Sequence, residues 1–127
     1  GDGQDVFLWN DSSEGAVAAS DDTPTNLSLD VDTISDFLTN IDRLVMVGAG
    51  FDGFSAGDSF DTGTNFFIIG SEYDGTNAGA ADATARIVVD SQGNVIADGN
   101  GATGAGYTVV ANVGAGTSVG TEDVQVI

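Results

Sequence analysis

Residues 86–97 read RIVVDSQGNVIA, from Arg86 to Ala97, and this stretch decides the fold class. Ile87-Val88-Val89 and Val95-Ile96-Ala97 are runs of β-branched and small apolar residues, which suit a pleated strand and crowd the turns of a helix. Between them Asp90-Ser91-Gln92-Gly93 is polar and closes on a glycine, the composition of a tight turn. Two such runs a few residues apart predict an antiparallel hairpin.

Working outward, the same signals recur. Tyr107 to Val113 and Glu122 to Ile127 are further strand candidates, as are Arg43 to Val47 and Val6 to Trp9. Phe66-Phe67-Ile68-Ile69, bounded by Asn65 and Gly70, is a continuous apolar run and predicts a strand buried on both faces. Leu27, Leu29 and Val31 alternate with Ser28, Asp30 and Asp32, the period-two pattern of a half-buried strand, and Ile34 and Phe37 extend the apolar face. Residues 10–26, 48–63 and 71–83 are small, polar and glycine-rich, and read as loops. Thr33 to Leu38 allows one helical turn, but the alternation around it favours β. No segment sustains a 3.6-residue period. The expected class is all-β in a single domain spanning 1–127, either a β-sandwich or a β-roll continued into a sandwich.

Composition narrows the function. Twenty acidic residues stand against two basic ones, with no histidine, for a formal charge of -18. Self-repulsion of that size opposes a compact state, and bound cations are the obvious relief. Nucleic acid is excluded as a partner, because a phosphate backbone needs a basic patch. Anionic membrane surfaces are disfavoured for the same reason, and no apolar run approaches the roughly 18–20 residues of a membrane span. Without cysteine or histidine, thiolate and imidazole metal sites and the usual nucleophile–base pairs cannot be built, so no enzyme is expected. The missing initiator methionine leads to the expectation of a mature product or a piece of a longer one.

The chemistry that remains is oxygen-ligand chemistry. Gly1-Asp2-Gly3-Gln4-Asp5-Val6-Phe7 fits the second half of the nonapeptide G-G-x-G-x-D-x-U-x, with Phe7 at the apolar position U. In that motif glycines allow a turn that aims carbonyls at calcium, and the aspartate adds a carboxylate. An ordinary Gly/Asp turn before a strand reads equally well from one partial repeat. A roll shares each ion between neighbouring turns, so a chain beginning here needs a second turn, or residues such as Asp32 or Asp36, to complete the shell. Asp98-Gly99-Asn100-Gly101 resembles a calcium loop but misses the helix-loop-helix template, and a plain turn is the better reading there. Arg43 and Arg86, each at the entrance of an apolar strand, are expected near Asp42 or Asp90.

Taken in order, GDGQDVF, then DTISDF (Asp32 to Phe37), then IDRLVMV (Ile41 to Val47) resembles the end of bacterial repeats-in-toxin proteins. In that family a last glycine-rich repeat leads into a pattern close to D-x-I-x-D-F, then D-[KR]-[IL] and an apolar strand. The second half, ARIVVDSQGNVIADGNGATGAG and the terminal TEDVQVI, is similar to a C-terminal module common there, although Val89 replaces the usual tyrosine. The resemblance implies a short calcium β-roll continued into a β-sandwich. Residues 1–9 would be the remnant of the last repeat, and 84–127 the terminal secretion-module segment. It further implies calcium (Ca2+) as cofactor, held by Gly1 and Gly3 through carbonyls and by Asp5 through its carboxylate, with Asp32 and Asp36 as further ligands. The implied setting is extracellular, or the bacterial cell surface. Export would use type 1 secretion machinery, and folding would follow on meeting calcium outside.

A second expectation comes from another class. Strand edges at Val6–Trp9 and Val124–Ile127, unprotected by lysine, would let copies pair into a homo-oligomeric filament or surface layer.

Overall fold

The computed structural model describes residues 3–19, 22–78, 84–101 and 104–127. Nine short strands form two sheets. β1 (Val6–Trp9), β4 (Arg43–Met46) and β9 (Val124–Val126) make a three-stranded sheet in the order β1-β4-β9. Both of its pairings are parallel, with Leu8 opposite Val45 and Val45 opposite Gln125. The larger sheet runs β2 (Ala16–Val17), β8 (Thr108–Asn112), β7 (Asn94–Ala97), β6 (Ile87–Val89), β5 (Phe66–Ile68). β3 (Asp32–Thr33) pairs in parallel with the end of β8, beside β2 on the same edge. The class is β-rich, as the sequence predicts.

The hairpin at 86–97 is present, in the register Ile87–Ala97, Val88–Ile96 and Val89–Val95. Its turn is built by Asp90. One carboxylate oxygen accepts the backbone N–H groups of Gln92 and Asn94, both at 3.0 Å. Gly93 takes φ +81°, open to glycine, and sits so close to the Gly114 backbone that a Cβ would stand 2.3 Å from it. The hairpin and the 114 loop therefore dock backbone to backbone.

Strand alternation explains why the hairpin runs are apolar throughout. Ile87, Val89, Val95 and Ala97 point to one face and join Trp9, Leu44, Met46, Val124 and Val126 of the smaller sheet in the main core. Val88, Ile96 and Val109 point to the other face and pack with Tyr73, Tyr107, Ala18 and Ala85. The two sheets thus form a sandwich, and the larger one is covered again behind by Ala18, Leu27 and Val31 and by the 69–78 segment. Each fully buried Val or Ile of β6 and β7 contributes roughly 1.5–3 kcal/mol relative to exposure.

Two expectations are corrected. The 27–31 alternation does not form a strand; it belongs to α1 (Pro24–Leu27) and a 3-10 turn at Ser28–Asp30. Thr23 caps α1, its hydroxyl accepting the Asn26 N–H at 3.3 Å, and Pro24 fixes the first helical φ. Leu29, on the apolar beat, is 84% exposed. The 66–69 run is a strand, but one at the end of the larger sheet, paired with β6 and on its other side only through a single bridge from Phe66 to Thr62 among the described residues, so Phe66 is buried while Ile68 is 62% exposed. Burial on both faces belongs to β6 and β7 instead.

Candidate metal site

Among the described residues four carboxylates are buried: Asp42, Asp90, Asp98 and Asp123. Each is spent on internal donors, as a buried charge must be. Asp42 accepts the N–H of Asp5 (3.0 Å) and of Leu38 (2.8 Å), tying the entrance of β1 to the approach to β4. Asp123 accepts the N–H of Asn40 (2.7 Å) and of Gly120 (2.8 Å) and the Thr39 hydroxyl (2.6 Å). Arg43 Nη1 stands 3.8 Å from it, at the margin of an ion pair. Asp98 accepts the Tyr73 hydroxyl at 2.6 Å and the Asn100 N–H at 3.2 Å. Besides the turn bonds, Asp90 accepts the Tyr73 N–H (3.2 Å) and the Asn94 side-chain amide (3.0 Å).

These four groups act as clamps. Backbone donors in loops have no ladder to join, and a carboxylate with two oxygens gathers several of them at once. The turn reading of Asp98-Gly99-Asn100-Gly101 fits this geometry. The arginine expectation needs adjustment. Arg43 pairs with Asp123 rather than with the carboxylate of its neighbour Asp42, whose carbonyl it bonds at 3.3 Å. Arg86 Nη1 donates to the Ala85 carbonyl at 2.9 Å.

Of the five residues assigned to calcium, the four that are described fall in three places. Gly1 lies outside the described residues. Gly3 is exposed, and Asp5 is half-buried at the head of β1, where its carbonyl accepts the Arg43 N–H at 2.9 Å and its N–H is held by Asp42. Asp32 belongs to the other sheet, exposed on β3 opposite Ala111. Asp36 is exposed in the turn that follows Ile34. Among the described residues no three acidic side chains gather in a way that could hold a metal ion. A calcium site at Gly3 and Asp5 therefore needs oxygen ligands from a neighbouring turn.

The edges of the smaller sheet are unlike each other. On β1, the carbonyls of Asp5 and Trp9 face β4, so the intervening peptide groups of Val6 and Leu8 face outward. Val6 is 61% exposed and Leu8 50%. On β9 the outward carbonyl of Val126 is already taken by the Gly57 N–H at 2.8 Å, and Val124 and Val126 are buried. At the expected edge Val124–Ile127 the 55–57 turn thus engages the carbonyl of Val126, while Ile127 is 48% exposed. The acid clamps were not signalled as such by the sequence; what marked them was only their position beside Gly, Asn or Thr turns.

No helix among the described residues is long and apolar enough to cross a membrane. The chain matches no protein-family model, no curated protein and no solved structure.

Proposed function

We propose that the chain is a non-enzymatic, calcium-binding C-terminal module of a secreted bacterial protein of the repeats-in-toxin type, supporting calcium-triggered folding outside the cell and type 1 secretion. The observation that carries this reading is the asymmetry of the parallel sheet. β1, directly after the Gly3/Asp5 turn, is an open parallel edge, and β9 at the far side is closed by Gly57. A β-roll grows by adding parallel strands at an edge. A unit with one open parallel edge and one closed edge is suited to end such a stack.

In this reading Gly1, Gly3 and Asp5 are one half of a calcium shell, completed by a neighbouring turn at the same edge, with Asp32 and Asp36 as outlying carboxylates. The charge of -18 holds the chain open where calcium is scarce, and calcium binding outside couples to folding. The alternative, a self-assembling subunit of a filament or surface layer, keeps the β1 edge in its favour but lacks the second edge that open-ended growth requires.

The test is a calcium titration of metal-stripped protein followed by far-UV circular dichroism and light scattering. Cooperative gain of β-structure at submillimolar to millimolar calcium, without increased scattering, supports the module. A simultaneous rise in scattering favours the subunit. A chain fully folded without metal and indifferent to it overturns the calcium reading.

A further inference from the structure

The 53–65 loop and the first residues leading into β6 line an open polar cleft of about 350 Å³. That volume is at the low end of the roughly 300–1,000 Å³ of small-ligand sites. Arg86 forms one wall. Among the described residues its guanidinium makes no ion pair, and its bond to the Ala85 carbonyl engages only one N–H of five. The remaining N–H groups of this half-buried guanidinium are therefore open to a ligand in the cleft.

Asp58 faces the same cleft. Its Oδ2 accepts the Ser55 N–H at 2.8 Å, and Oδ1 has no donor among the described residues. Donor and acceptor thus share one space without satisfying each other.

The walls are fixed. Asn65 O accepts the N–H of Arg86 (2.9 Å) and of Ile87 (3.0 Å), so the strand entrance is bolted to the loop. The Asn65 side chain accepts the Asp61 N–H (2.7 Å) and donates to the Ser59 carbonyl (2.9 Å), holding the segment that carries Phe60. Phe60 is half-buried, with its ring centroid 6.5 Å from that of Phe66, and anchors this wall of the cleft to the core.

We propose that this cleft binds a neutral saccharide, Arg86 donating to and Asp58 accepting from neighbouring hydroxyls. The chemistry selects this class over the ions. A cation meets one carboxylate and an opposing guanidinium. A small anion meets Asp58 and the field of the whole acidic molecule. A hydroxyl-rich neutral ligand satisfies both charged groups and carries no net charge into that field. The proposal stands whether or not the chain is a calcium module.

The test uses 15N-labelled protein in calcium-containing buffer, in which the chain is folded on either reading, and amide chemical shifts, titrated separately with glucose, galactose and N-acetylglucosamine, and with glucuronate, inorganic phosphate and additional calcium chloride as charged probes. At least one neutral sugar is expected to shift amides of residues 53–65 and 84–87 with millimolar affinity. Arg86→Ala and Asp58→Ala should each weaken it about tenfold, the loss expected for one hydrogen bond to a charged group. Asp58 is exposed and holds only a local turn, so that variant remains readable if Arg86→Ala unfolds. Shifts at these amides from phosphate, glucuronate or calcium but from no neutral sugar overturn the proposal. So do unchanged spectra with all three sugars, or sugar binding that survives both substitutions.

Discussion

Asp123 Oδ1 accepts the backbone N–H of Asn40 at 2.7 Å, although 83 residues separate them in the chain. Asn40 takes φ +64°, the one positive φ of a non-glycine residue among those described. Asparagine tolerates this left-handed backbone better than most residues, and the buried acceptor holds it there. The same carboxylate takes Thr39 and Gly120, so one side chain joins the turn before β4 to the turn before β9. We predict that Asp123→Ala, which takes a buried acceptor from three donors at once, costs about 3 kcal/mol. Thr39→Val should cost about 1 kcal/mol. Urea midpoints at constant m-value measure both. Equal effects of the two variants would show that the carboxylate is not the hub.

Glycines divide into those that need φ alone and those that also need space. Gly57 has φ +84° with nothing within 4 Å of a built Cβ. Gly93 has φ +81° and the Gly114 backbone at 2.3 Å. Gly57→Ala is expected to lose about 1 kcal/mol, the cost of a left-handed alanine. Gly93→Ala must also part the hairpin from the 114 loop, and should lose about 3 kcal/mol or more. Thermal melts of the two variants separate these terms, and similar melting points would mean the backbone contact yields easily.

The strands were legible because their signal is local. β1, β4, β8, β9 and the 86–97 hairpin lie where branched apolar residues run between Gly, Asn and Asp turns. The 27–31 misreading had a local remedy: Thr23-Pro24 is a helix-start signal that outweighs three alternating apolar residues. What stayed hidden is non-local. Parallel pairing of β1 with β4, and of β4 with β9, depends on long connections whose path no period encodes. Nor does any spacing link Asp123 to Asn40, or Arg86 to Asp58. The acids were visible as charge, but which four fold inward depends on where unpaired N–H groups end up. For the same reason the sequence placed Asp5 and Asp32 in one list, while the fold places them on different sheets.

Tyr107 provides a pH probe of the second core. It is buried beside Tyr73, ring centroids 5.3 Å apart, and its hydroxyl donates to the Asp22 carbonyl at 3.2 Å. Burial, with the negative field of Asp22, Glu72, Asp74 and Asp90, pushes its pKa up to about 12. Between pH 10 and 12 the unfolded chain therefore releases a proton that the folded one keeps, and stability must fall as pH rises through that window. Below pH 10 the group is neutral in both states and contributes no slope. Tyr107→Phe is expected to be less stable than the parent near pH 8, through the lost hydrogen bond, with the gap narrowing from pH 10 to 12. A gap that is constant across that range would mean the phenol ionises freely in the folded protein.

Asp5 separates a backbone role from a side-chain role, and this makes the calcium reading testable at one residue. Its N–H is held by Asp42 and its carbonyl by the Arg43 N–H, and neither bond involves its carboxylate. Asp5→Asn keeps the length and both backbone bonds while removing a charge that a hard cation needs. At calcium a hundredfold above its Kd, mass action should stabilise the parent by about 2.7 kcal/mol, and Asp5→Asn should lose most of that gain. The calcium-free stabilities of the two proteins set the baseline from which each gain is read. Sodium chloride at equal ionic strength supplies the comparison, because screening of the -18 charge helps both proteins alike. If calcium stabilises parent and variant equally, and no more than sodium does, the ion is acting on the diffuse charge and the Gly3–Asp5 turn is only the entrance to β1.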